Sequence, residues 1–179
     1  MFLARLFGRR SPAETAAVSL YRAAVEKARD PVFYAELAVP DTVNGRFDMI
    51  VIHVMLLFRR LRGGGAAAHA TSEALLSLMF SDMDRSLREM GVGDMSVGKH
   101  VKKMAKAFYG RAEMYEAGLE GTSDVLESAL TENLYRHEAA QPASRAAIAA
   151  YMKRLDTHLA AQAVEAITGG AANFQIPVK

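Results

Sequence analysis

The side chains of this 179-residue chain that could do chemistry are few, and their spacing is poor for catalysis. There is no cysteine, which removes thiol nucleophiles, disulfides and cysteine-type zinc sites together. The five histidines are His53, His69, His100, His137 and His158. None belongs to an HExxH or Glu-x-x-His motif, so the helical zinc-hydrolase and di-metal carboxylate patterns are missing. His137-Glu138 and Asp156-Thr157-His158 are isolated local pairs. Gly91-Val92-Gly93 lies between helical segments and not after a strand, and no serine sits on a nucleophile elbow. The residues therefore point to binding: no catalytic group, no metal site, no cofactor and no enzymatic activity is expected.

Two segments have the composition of a binding surface. KHVKKMAKAFYGR, 99–111, places Lys99, Lys102, Lys103 and Lys106 on one broad helical face, followed by Phe108, Tyr109 and Arg111. Such a face is either a solvated side of an amphipathic helix or a contact for an anionic membrane surface, ribosomal RNA or an acidic protein. DNA is not expected, because no helix-turn-helix with polar base-reading residues is present. FDMIVIHVMLLFRRLR, 47–62, is the most apolar stretch. Its uncharged run, Met49–Phe58, is ten residues, whereas a membrane span needs about 20. It reads as a core helix. His53 within it is either a satisfied core histidine or an edge residue beside Arg60 that meets a partner. Asp82 and Asp84 can pair with Arg85 or Arg88 at helical spacing. Ten methionines add adaptable apolar surface or simple core filling.

The elements that must position these residues are all helical. The five prolines, at 12, 31, 40, 142 and 177, start or separate helices. Ser11-Pro12-Ala13-Glu14 is a capping box that opens a helix to about Arg29. Further helices follow at 31–37, 43–62, 68–90, 94–119 and 122–136, with a last one from Pro142 to about Thr168. Gly98 and Gly110 run against helix propensity. The expected architecture is an all-α single-domain bundle of about six or seven helices over 11–168. It is preceded by a basic amphipathic or disordered stretch, 1–10, and followed by a flexible tail, 169–179. The charges are uneven. Residues 96–111 are basic without an acid, and 112–140 are strongly acidic, so different faces suit different partners.

In order, GRFDMIVIHVMLLFRRL, LMFSDMDRSLREMGVGD and VGKHVKKMAKAFYGR resemble the ubiquinol–cytochrome c chaperone family, the assembly factors of respiratory complex III, over about residues 18–160. The resemblance implies a non-enzymatic chaperone that binds newly synthesised cytochrome b and supports biogenesis of ubiquinol–cytochrome c reductase. By matching motif positions it implies Phe47, His53, Arg60, Asp82, Arg85, Phe108, Tyr109 and Arg111 as client- or partner-binding residues, with Gly91 in the same signature. It further implies a ribosome or anionic-membrane contact for the lysines, a small protein partner, and a cytoplasmic chain peripheral to the inner membrane. A compact alphaproteobacterial form, without the presequence and tethering region of mitochondrial members, is the corresponding expectation. The family's second segment often carries a tryptophan where this chain has Phe80. The competing reading is a peripheral helical protein for a lipid or quinone-type ligand. A closed apolar cavity would favour that reading, and an open apolar patch beside the lysines would favour the chaperone.

Overall fold

The structure, a computed structural model, describes residues 10–136 and 141–178. The amphipathic or disordered stretch expected before Arg10 and the His137-Glu138 pair lie outside the described residues. Among these residues there are eight helices: α1 (Pro12–Ala28), α2 (Pro31–Ala35), α3 (Val43–Leu61), α4 (Gly65–Glu89), α5 (Asp94–Glu120), α6 (Ser123–Asn133), α7 (Pro142–Ala160) and α8 (Val164–Thr168). Two of them, α2 and α8, are five-residue turns, and no strand occurs among the described residues. The all-α, single-domain expectation is met.

Local chemistry sets the starts. The Ser11 hydroxyl accepts from the Glu14 amide at 3.1 Å while the Glu14 carboxylate accepts from the Ser11 amide at 2.7 Å, the reciprocal capping box. Asp30 caps α2 at 3.1 Å, and Thr42 caps α3 at the same distance. Gly91 ends α4 at a φ of +84°, a conformation that suits glycine. This signature glycine is thus part of the scaffold.

Helix α3 is the centre of the molecule. From Met49 to Leu57 every residue but Ile50 is buried, and α1, α4, α5, α7 and α8 all pack against it. An amphipathic helix hides one stripe; this one is enclosed nearly all round. No described helix is long and apolar enough to cross a membrane. Each of its fully buried aliphatic side chains contributes about 1.5–3 kcal/mol relative to exposure.

Two sequence expectations give way at the C-terminal end. The last long helix does not continue to Thr168; it stops at Ala160 and resumes at Val164. Arg60 reaches the Gln162 carbonyl through Nε at 3.0 Å, and the Gln162 side chain exchanges two hydrogen bonds with the Asn173 backbone, at 2.8 and 2.9 Å. These contacts pull the backbone out of helix, and alanine's propensity alone does not resist them. Nor is the end of the chain loose over 171–178. It is extended, but Phe174 and Val178 are buried, Lys27 donates to the Ile176 carbonyl at 3.4 Å, and Arg154 donates to the Val178 carbonyl at 3.0 Å.

Glycine positions separate packing from propensity. A Cβ at Gly118 would lie 2.6 Å from the Leu126 Cα, where α5 and α6 touch, whereas a Cβ at Gly110 meets nothing within 4 Å. Gly118→Ala is therefore expected to cost about 2 kcal/mol through overpacking. Gly110→Ala is expected to gain up to about 1 kcal/mol of helix propensity. Urea unfolding at pH 7 reads both, and equal effects would contradict the assigned α5–α6 contact.

Candidate functional site: an apolar groove with a basic rim

Four helices leave a groove of about 490 Å³ between them. Helix α3 supplies Phe47 and Ile50 from its first turns, and α4 supplies Met83 and Leu87 from its last. Met104 and Ala107 come from α5, and the end of α1 closes the groove with Tyr21 and Arg29. Val43 and Met90 stand at its edge and are 63% and 53% exposed, high for large apolar residues. Three of the lining side chains are methionines, which repack readily against varied apolar shapes.

The rim is charged. Arg29, Arg46, Lys103 and Arg111 line the groove together with His100, against one carboxylate, Asp82. Asp82 accepts from the Tyr21 hydroxyl at 2.9 Å and is paired with Arg85. Burial, with Asp82 beside it, holds the Tyr21 phenol well above its ordinary range. Arg46 is paired with Asp41 at 2.6 Å and stacks over Tyr34 at 5.2 Å. Among the described residues no three metal-ligating side chains converge. An apolar bed with cations at its lip can bind an apolar segment; it presents no set of reacting groups.

Beneath the groove lies the most demanding electrostatic feature of the molecule. Asp48 is wholly buried, yet Arg111 Nη1 and Arg136 Nη2 each stand 2.6 Å from one of its two oxygens. Burial pushes this carboxyl up to about 6, against the pull of the two guanidinium groups. Arg111 also lies 6.0 Å over the Phe47 ring, so the ion pair sets the height of a groove residue.

The residues expected at a binding site divide. Phe47, Asp82, Lys103 and Arg111 meet in the groove. Arg85 is on the exposed flank, tied to Asp82, and Tyr109 is exposed on α5. Lys99, Lys102 and Lys106 are exposed along α5 outside the groove. His53 is not at an edge. It is fully buried, with Nδ1 donating to the Met49 carbonyl at 2.7 Å and Nε2 accepting from the Tyr151 hydroxyl at 2.8 Å. Phe33 and Phe174 enclose the ring at centroid distances of 5.8 Å. It is a satisfied core histidine, as the plainer reading of the sequence had it. Phe108 is also buried, edge-on to Phe58 and Phe80, because its side of α5 faces the core. Arg60 holds the Gln162 carbonyl and does not flank the groove. In the folded molecule His53 and Phe108 cannot touch a partner. Sequence reasoning missed Asp48, Ile50, Met83 and Arg29. The available signal for Asp48 was an acid seven residues before Met55 on a buried stripe, a position that demands a cationic partner.

Arg111 thus has a structural duty first. Arg111→Gln strands a buried carboxylate with one partner and is expected to cost about 3–5 kcal/mol. Asp48→Asn costs less, since the released arginines, partly exposed, can turn to water. The double variant should fall short of the sum in urea unfolding. The two buried titrating groups also oppose each other. Burial pushes the His53 imidazole down to about 4, so its contribution is complete above about pH 6.5 and declines as the pH falls toward 4. Asp48, raised in the folded state, contributes most below about pH 4 and loses this as the pH rises through about 6. From pH 7 to pH 5, Asp48→Asn should therefore lose about 1 kcal/mol more stability than the unmodified chain. An identical loss in both would contradict a folded-state titration of Asp48 near 6.

Comparison with known proteins agrees with this architecture. The profile of the family described as Ubiquinol-cytochrome C chaperone matches residues 35–174. Ubiquinol-cytochrome-c reductase complex assembly factor 1 of Xenopus laevis is 23% identical over 139 residues, 78% of this chain and 70% of the frog protein. The mouse and human proteins of that name are each 24% identical over 139 residues, and the match spans under half of their length, 47% and 46%. A crystal structure of the Cbp3 homolog from Brucella abortus superposes with a TM-score of 0.84 at 33% identity, over 93% of this chain and 92% of that one. With its profile matched from the end of the second helix to buried Phe174 in the tail, the chain belongs to the ubiquinol–cytochrome c chaperone family.

Proposed function

We propose that this protein is an assembly chaperone for ubiquinol–cytochrome c reductase that holds an apolar segment of newly made cytochrome b in the groove between α1, α3, α4 and α5. The observation that carries the reading is the groove itself: a methionine-rich apolar bed with exposed Val43 and Met90 at its edge. Exposed apolar surface of this kind marks a contact for another molecule. Client binding would bury it and leave chemistry to the complex being assembled.

A second contact lies on the outside of α5. Met95, Lys99, Lys102, Lys106 and Tyr109 follow one another at alternating spacings of four and three, a single stripe along the helix. All are exposed; Met95 is 100% and Tyr109 54% exposed. Lysines between an exposed methionine and a tyrosine suit an anionic bilayer, where aliphatic stems and apolar ends enter the interface and ammonium groups meet the headgroups. That apolar content favours a bilayer over ribosomal RNA and supports a position at the membrane periphery.

The test uses a photo-reactive residue at Met90 and, separately, at Val43, both exposed and both on the groove. Cytochrome b is expected in the crosslinked product during complex III synthesis, and Val43→Ser/Met90→Ser should lower its capture about tenfold. Raising salt should strip a Lys99, Lys102 and Lys106 contact with anionic vesicles while leaving client capture largely intact. Capture that is wholly salt-labile and indifferent to the two serine substitutions would overturn the assignment.

A further inference from the structure

The charges around the groove do not balance, and the imbalance says something about its occupant. Most of the cations near it have a carboxylate. Arg46 has Asp41, Arg111 has Asp48, Arg85 has Asp82, and Arg88 has Asp84 at 2.6 Å. Two lining cations have none among the described residues: Arg29, just past the end of α1, and Lys103, on α5. They come from different walls and flank the same apolar bed. Helix termini explain part of Arg29, since a cation at a C-terminal end meets the negative pole of the helix. Lys103 is mid-helix, exposed, and has neither a helix terminus nor a carboxylate beside it among the described residues. Its neighbours on the outer stripe face away from the groove, while Lys103 itself lines it.

We infer that the groove takes an apolar protein segment that carries an acidic side chain, whose carboxylate seats between Arg29 and Lys103. The inference rests on the client reading above and adds the recognition chemistry. An uncharged apolar helix would fill the bed and leave both cations without a counter-charge. One with a glutamate or aspartate at the matching position would gain a charge-assisted contact at the lip, next to a low-dielectric surface. The open edge formed by Val43 and Met90 suits a segment laid along the groove better than a lipid tail, which needs enclosure. Charge of this kind selects among apolar clients and sets the register in which one is held.

The test uses the full chain and two end-blocked, labelled leucine–alanine helical peptides, identical except for one central Glu or Gln. Affinities are read by fluorescence anisotropy at about 0.1 M salt. The Glu peptide is expected to bind about fivefold more tightly, and the preference should disappear in Arg29→Gln/Lys103→Gln while surviving in Lys99→Gln. Val43→Ser/Met90→Ser should weaken both peptides alike. These substitutions are all at exposed positions, and circular dichroism checks that each variant is folded. Equal binding of the two peptides, with both weakened by the serine pair, would sink the carboxylate anchor and leave the groove reading standing. Binding indifferent to the serine pair, or no binding at all, would remove the groove reading and the anchor with it. A preference lost equally in Lys99→Gln would reduce it to general surface charge. Displacement of the Glu peptide by dodecanoate, at an affinity that depends on Arg29 and Lys103 and exceeds the peptide's, would assign the site to a free anionic amphiphile and overturn the proposal.

Discussion

A carboxylate held away from water between two guanidinium groups fixes how this bundle closes. Asp48 belongs to α3, Arg111 to α5, and Arg136 follows the end of α6. Desolvating an ion costs several kcal/mol, and the cost is offset only when the geometry is good. The three elements must therefore arrive in one relative position, since a small slip would leave a buried charge unpaired. A purely apolar contact would have tolerated more sliding. The groove inherits this constraint directly. Its α3 wall runs from Val43 to Ile50 and so spans Asp48, and its α5 wall ends at Arg111, whose guanidinium lies over the Phe47 ring. The proposed client surface is thus built on a base with little freedom of its own. Adaptability is left to the methionine side chains.

On the far side of α3, neutral hydrogen bonds play the corresponding part. His53 uses both ring nitrogens, one toward its own helix and one toward Tyr151 of α7. The tail then covers the pair with Phe174. Because the Nδ1 proton is engaged by Met49, Nε2 is left as the acceptor for the tyrosine, and the ring serves as a neutral spacer. The family resemblance marks both His53 and Arg111, and both prove to be bonds between helices. A residue shared across a family motif is as readily a scaffold joint as a contact with a client, and burial distinguishes the two.

Much of the fold was legible because its signals are local. Proline at the first helical position, the Ser11–Glu14 box and Gly91 each act within four residues of themselves. The break after Ala160 and the pinned tail were not legible. The break goes with a contact between Arg60 and Gln162, 102 residues apart, and the tail is held in part by Lys27 at the Ile176 carbonyl, 149 residues apart, pairs that no window of sequence contains. The site was legible in half. Phe47, Asp82, Lys103 and Arg111 could be picked as residue types, but which flank of each apolar stripe would be left uncovered is decided by packing. That is why Phe108, one residue from exposed Tyr109, went to the core, and why Ile50, a gap in an otherwise buried run, became part of the groove.

Helix α5 joins the two proposed contacts. Lys103, Met104 and Arg111 face the groove, while Met95, Lys99, Lys102, Lys106 and Tyr109 face outward. Both sets sit on one continuous helix, Asp94–Glu120, about 40 Å long at the usual rise per residue. A bilayer that held the outer stripe would therefore hold the groove beside the interface, within a helix diameter of about 10 Å. An apolar segment could then move from groove to membrane without a long passage through water. No hinge is needed for this. What it needs is that α5 keep its rotation about its own axis, because a turn of one residue, about 100°, would carry Lys103 out of the groove. The ion pair of Arg111 with buried Asp48 fixes that rotation.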